Sequence, residues 1–221
     1  MSGAATIALV LVPLVILVLT SFLKLSIVLS LLRNALGTQD APSSLAITGI
    51  ALVLTLFVMT PVVLDMVAAA DAVPAQPEAP PDDKLGQATD RMVRTLAPDV
   101  DVGAARRAIG PLRTWLGKHA GERDRETFVA LSAKLGTEAK GDELFVLAPA
   151  FLTTELREAF AIAVLIFVPF LVIDLVVGLS LAALGLQSTS PQSVALPLKL
   201  LLFVAVDGWR LLIDGLLRGY A

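Results

Sequence analysis

The stretch AFAIAVLIFVPFLVIDLVVGLSLAALGL (residues 159–186) carries one charge, Asp174, in an otherwise apolar run. A hydrocarbon core of about 30 Å needs about 20 helical residues. The run exceeds that length, and no soluble globule hides such a helix easily. Its upstream flank, Thr153-Thr154-Glu155 with Glu158, reads as a helix start: hydroxyl caps followed by carboxylates in the first turn. Downstream, QSTSPQ (187–192) reads as a polar turn, and residues 194–217 as a last apolar stretch with Lys199, Asp207, Arg210 and Asp214 inside it.

The N-terminal part has the same character. Residues 1–23 carry no charge. Residues 4–23 are long enough to span, with Pro13 inside, which membrane helices tolerate. The first residues lack Lys or Arg and the apolar run is long for a signal peptide, so the segment is expected to stay in the mature chain. Lys24 follows, then residues 25–32, then Arg33. A turn over 33–44 contains Gly37 as a helix C-cap and Pro42-Ser43 as a restart. Residues 45–64 are again uncharged, closed by Asp65.

The charge is concentrated between these two oily regions. Of 20 Asp/Glu and 17 Lys/Arg in the 221 residues, 15 and 12 lie between Met66 and Glu158. Hydrophobic residues make up 56% of the chain and charged residues 17%, against soluble norms of about 45–50% and about 25%. DAVPAQPEAPPDD (71–83) has four prolines and cannot hold a continuous helix. The reading is an all-α membrane protein. A first hydrophobic helical hairpin covers 1–66, a Pro-rich linker 67–83, a soluble helical insertion 84–146, and a second hydrophobic hairpin 147–221. In the insertion, Arg106, Arg107 and Arg113 read as a solvated face, Trp115 as a small-core residue and His119 as a surface one.

Several functions are disfavoured. With a net charge of −3 there is no basic excess to neutralise phosphates, so no nucleic acid is expected. With no cysteine and one histidine, disulfides, Cys-ligated metals and Ser/His or Cys/His catalysis drop out. No P-loop, HExxH or GxSxG motif is present. An enzyme, a metal and a cofactor are not expected.

Lys24, Asp174, Lys199 and Asp207 lie within apolar helices, where each would cost about 2.5–3.5 kcal/mol at a bilayer centre. They are expected to face protein or water. Lys199 and Asp207, eight apart, rise about 12 Å and diverge by about 80° on one helix, so they cannot pair directly. Asp174 with Lys199 is the preferred pair, across the second hairpin or between copies. These groups either pair structurally, line a wet passage, or pass a proton or ion. Arg210, Asp214 and Arg218, at spacings of four, suit pairs along one helix. Gly178 and Ala182 form a small-xxx-small pair for close helix packing.

Five strings add a family resemblance: TSFLKLSIVLSLLRNALGTQ (20–39), FVMTPVV (57–63), PAFLTTELREAF (149–160), FVPFLVIDLVV (167–177) and PLKLLLFVAVDGW (197–209). In this order they resemble the SctR/FliP family, core export-gate proteins of type III secretion systems and flagella. The resemblance implies an all-helical subunit of which about five copies form a helical ring. Its partners would be SctS/FliQ-type, SctT/FliR-type and SctU/FlhB-type proteins. It implies a gated conduit for unfolded secreted proteins across the bacterial inner membrane, with membrane lipids around it and no enzymatic activity. It places the middle domain and both termini on the periplasmic side, where the distribution of Arg33, Arg210 and Arg218 alone is ambiguous. It also implies that much of the ring sits raised toward the periplasm, so four apolar segments need not mean four spans.

The family's constriction lies in the turn between the last two hydrophobic helices and is often rich in Met. Here that turn is Leu186-Gln187-Ser188-Thr189, without Met. Leu186 or neighbouring subunits would supply the apolar collar. Ala161 and Ala163 also depart from the family's usual polar residue and glycine. Lys24 after TSFL, the short length and the missing methionines point to the injectisome branch. The competing readings are a small-solute or ion transporter using the Lys/Asp pairs, and a membrane-anchored binding protein.

Overall fold

A computed structural model describes residues 17–38, 42–72, 90, 94, 101–137, 139–186 and 188–220. Every regular element among them is an α-helix: α1 Phe22–Leu36, α2 Ser44–Asp71, α3 Val102–His119, α4 Glu122–Lys134, α5 Leu144–Ala183, α6 Pro191–Ala205 and α7 Gly208–Arg218. Most of the first expected span and of the Pro-rich linker lies outside the described residues. The chain divides into two compact units. One comprises Met1–Thr20 and Met59–Thr154, the other Ser21–Val58 and Glu155–Ala221.

Among the described helices, two are long and apolar enough to cross a membrane, α2 and α5. At 1.5 Å per residue, α2 with 28 residues is about 42 Å long and α5 with 40 about 60 Å. Both outrun a hydrocarbon core of about 30 Å. α1, with 15 residues, reaches only about 22 Å, as does α6. Among the described residues, two of the apolar segments therefore reach the length of a span, and a break shortens the last one.

Three boundaries correct the sequence reading. First, α5 runs unbroken from Leu144, so Thr153, Thr154 and Glu155 lie in its interior. With no free N–H groups to cap there, the Thr153 hydroxyl bonds back to the Pro149 carbonyl at 2.9 Å. Second, Asp65 does not end α2, which continues to Asp71. Third, the last apolar stretch breaks at Val206-Asp207 into α6 and α7.

In the first unit, Leu112, Trp115 and Leu116 of α3 are buried, as are Val146, Leu147, Ala150 and Phe151 of α5. The Trp115 and Phe151 rings lie 5.0 Å apart. The Thr154 hydroxyl donates to Asp124 at 2.6 Å and accepts from the Gly121 N–H at 2.8 Å, which holds the start of α4. Arg107 donates to the carbonyls of Ala69 and Ala70 at 3.2 and 3.3 Å, closing the C-terminus of α2 where a cation also suits the helix dipole. His119 is half-buried rather than a plain surface residue. It stacks on Trp115 at 4.6 Å, and its Nδ1 lies 2.8 Å from the Trp115 carbonyl.

In the second unit the core is built around α1. Leu25, Val28, Leu29, Leu32 and Leu36 recur at helical spacing and are almost wholly buried against Ile47, Ala51, Phe170, Leu212 and Leu216. The outward faces are apolar too: Val53, Leu56 and Phe57 on α2, and Val164, Leu165, Leu171 and Leu175 on α5, are exposed. Contiguous apolar surface on this scale marks lipid or a protein partner rather than water.

Candidate functional site

Charges buried inside the second unit form two clusters, each holding one lysine.

The first surrounds Lys24, two residues into α1. Its side chain is 2% exposed, and its Nζ lies 3.0 Å from Glu155 Oε1 and 2.8 Å from Glu158 Oε2. Glu155 and Glu158, three apart, share one face of α5. Tyr220, just beyond α7, donates its hydroxyl to Glu155 in a short hydrogen bond, and its ring centroid lies 4.2 Å from Lys24 Nζ. Burial pushes the Tyr220 phenol far above its ordinary value, and the carboxylate of Glu155 adds to this. The phenol therefore stays protonated and serves as a fixed donor. Glu155 thus receives two hydrogen-bonding partners in a place where a bare carboxylate would be costly.

The second cluster surrounds Lys199 on α6. Its Nζ donates to Asp174 of α5 at 2.7 Å and to the carbonyl of Ala35 at 3.0 Å. Ala35 lies in the last turn of α1, whose carbonyls have no helical partner. Gly37, in the left-handed region at φ 76°, ends that helix and leaves room: a Cβ there would meet Lys199 Nζ at 3.9 Å. Lys199 is buried, whereas the Asp174 side chain is 45% exposed.

Asp207 joins neither cluster. It is exposed at the α6–α7 break in the left-handed conformation, φ 52° and ψ 50°. The next residue has to be glycine: a Cβ on Gly208 would stand 2.3 Å from the ring of Phe203. That ring sits 6.4 Å from Phe170 and edge-on to Trp209 at 5.5 Å.

At the turn that follows α5, where the resemblance puts a constriction, Gly185 takes the left-handed conformation, φ 72°. The N–H of Leu186 reaches the carbonyl of Leu181 and that of Gly185 reaches Ala182, a Schellman closure of α5. Leu186 and Ser188 are exposed, and Gln187 lies outside the described residues. Gly178 faces open space, and Ala182 is exposed.

Sequence reasoning missed Glu155, Glu158 and Tyr220 as members of the Lys24 cluster, because the two carboxylates read as helix-start residues. The available signal was charge balance: a lysine in an apolar helix needs an anion, and Glu155/Glu158 are paired carboxylates beside an apolar run. Among the described residues no group of three or more His, Cys, Asp or Glu is placed to hold a metal ion.

Comparison with known proteins gives one consistent outcome. The hypersensitivity response secretion protein HrcR of Ralstonia nicotianae is 39% identical over 219 residues, covering 97% of this chain and 94% of its own. The Yop proteins translocation protein R of Yersinia pestis is 38% identical over 217 residues, covering 96% and 92%. The flagellar biosynthetic protein FliP of Pectobacterium carotovorum is 39% identical over 216 residues, covering 94% and 73%. The FliP family profile matches residues 6–216, so with its ordered motifs and its all-helical fold the chain belongs to the FliP family.

Proposed function

We propose that the chain is a core subunit of a type III secretion export gate, a gated conduit for unfolded protein substrates across the bacterial inner membrane. The observation that carries the reading is family membership over nearly the whole chain, with relatives named for secretion, translocation and flagellar biosynthesis. About five copies would close a helical ring with SctS/FliQ-type and SctT/FliR-type proteins, next to an SctU/FlhB-type protein. Residues 84–146 would face the periplasm. The two hydrophobic regions, 1–66 and 147–221, would act as helical hairpins on either side of the linker 67–83. The injectisome branch is preferred on Lys24 after TSFL and the turn without Met.

The exposed apolar faces of α2 and α5 support an assembly embedded among lipids and sibling subunits. The Lys24 and Lys199 clusters supply internal partners for their lysines, and a ring contact would complete Asp207 and the exposed sides of Asp174 and Glu158. Gly178 and Ala182 leave a low, open strip for a neighbouring helix. Leu186, Gln187 and Ser188 would form the constriction, with Leu186 as its apolar collar. Co-expression with the SctS-type and SctT-type proteins, followed by native mass measurement, tests the reading. The expected particle is mixed and holds about five copies of this chain. A lone copy that transports a small solute by itself would replace it with the transporter reading.

A further inference from the structure

The first unit holds a polar hollow that the two lysine clusters do not touch. It opens between α3, α4 and the start of α5, and measures about 450 Å³. Two arginines line it, Arg113 of α3 and Arg125 of α4. Arg113 already has its partner: its Nε donates to the Asp142 carbonyl, and its Nη2 lies 2.6 Å from the Asp142 carboxylate. Arg125 has none of this kind. Its Nε–H is shielded from solvent and finds no hydrogen-bond partner in the protein. Among the described residues its side chain forms no ion pair. A guanidinium keeps its charge at any physiological pH. A shielded donor without an acceptor is unfavourable, because it has given up water and gained nothing in return.

The charges lining the hollow do not cancel. Arg113 and Asp142 neutralise each other, which leaves the positive charge of Arg125. The opposite wall leaves space. A Cβ on Gly110 would meet nothing within 4 Å, and one on Gly117 would meet only the Leu147 methyl groups, at 3.9 and 4.0 Å. Gly110 and Gly117 lie seven apart, about two turns of α3, and so share one face. The Thr114 hydroxyl between them donates to the Gly110 carbonyl at 3.2 Å, so it is not a competing donor. A charged fork therefore stands on one side, with glycine backbone and a leucine side chain on the other. We propose that the hollow binds a small organic oxyanion. Its carboxylate or phosphate head would be taken by Arg125, and its short carbon body would lie against Gly110, Gly117 and Leu147. Parallel N–H groups on the fork match two oxygens of either head. The volume falls within the range of small-molecule sites, about 300–1,000 Å³. The site belongs to the middle domain, for which the export-gate reading names no role, and it does not rest on that reading.

The test uses the full-length chain in detergent with isotope-labelled arginine. The Nε–H resonance of Arg125, identified by its loss in Arg125→Gln, is followed while sodium butyrate, sodium acetate or inorganic phosphate replaces chloride at constant ionic strength. A saturable shift is expected, together with a rise in the unfolding midpoint as the anion binds the folded chain. Butyrate binding more tightly than acetate identifies a carboxylate ligand, and phosphate binding more tightly than both identifies a phosphate head. Arg125→Lys keeps the charge and loses the fork, so it should weaken binding about tenfold, read from the midpoint. Gly110→Leu fills the hollow and changes no charge. It should abolish the Arg125 shift and leave the helical circular dichroism as it was. The proposal is overturned by a resonance that no anion shifts saturably, or by acetate doing as well as the better of butyrate and phosphate. Binding that survives Gly110→Leu, or that Arg125→Lys leaves as tight, overturns it too, because either would show general charge attraction rather than a shaped site.

Discussion

Lys24 Nζ lies 3.0 Å from Glu155 Oε1, and both side chains are essentially sealed from solvent, at 2% and 1% exposure. Burying two ions is costly in itself, so this pair is better understood as a constraint on packing than as a source of stability. It ties the start of α1 to the middle of α5 and, through Tyr220, to the chain beyond α7.

Removing the cation should therefore be severe. Lys24→Met strands Glu155 in the interior and is expected to cost about 3–5 kcal/mol. Glu158→Gln should cost far less, because the Glu158 side chain is 49% exposed and Lys24 keeps Glu155. Unfolding midpoints in detergent would show the difference. Equal losses would mean that the two carboxylates are interchangeable.

Tyr220 links the cluster to pH. Its folded-state pKa is raised, so the folded chain holds that proton more tightly than the unfolded chain. Its contribution is fully present below the unfolded value of about 10 and is lost as pH climbs above it, by about 1.4 kcal/mol per pH unit. Tyr220→Phe should flatten this alkaline decline by one proton, while losing about 1–3 kcal/mol near neutrality because Glu155 is left short of a donor. Stability measured from pH 7 to 11 in both forms checks the sign.

The Lys199 cluster makes an asymmetric prediction. Asp174→Ala leaves a buried ammonium with only the Ala35 carbonyl for company, and should cost about 3 kcal/mol or more. Lys199→Met leaves an aspartate that reaches water and a carbonyl short of a donor, about 1–3 kcal/mol. The carboxylate change should therefore do more damage than the lysine change. The opposite order in thermal or protease-resistance assays would show that Asp174, not Lys199, is the shielded partner.

At the α6–α7 break, Gly208→Ala forces a methyl into the ring of Phe203 and should destabilise by about 1–3 kcal/mol. Pairing it with Phe203→Leu, which removes the ring edge, should recover part of the loss. A double variant no better than the single would place the strain in the backbone instead.

The collar is tested by conductance. Leu186→Asp in the assembled complex should raise ion leakage through the idle gate. Unchanged conductance would remove Leu186 from the constriction.

Much of this protein was readable from composition and order alone. An apolar run interrupted once in 28 residues, a charged insertion and neutral oily flanks imply membrane helices around a polar middle, because transfer energy depends on residue type summed along a helix. The ordered strings were enough to suggest the family, and Gly37 as a C-cap was legible because its requirement is local. What the sequence could not settle is where helices stop and which charges meet. Thr153 and Glu155 have the chemistry of a helix start and yet sit mid-helix, since packing against α1 and α4 outweighs a weak local signal. Lys24 finds Glu155 across 131 positions, and Asp207 breaks an apolar stretch that hydropathy reads as continuous. Such pairings depend on distances through space, and only the tertiary structure brings those groups within a hydrogen bond of each other.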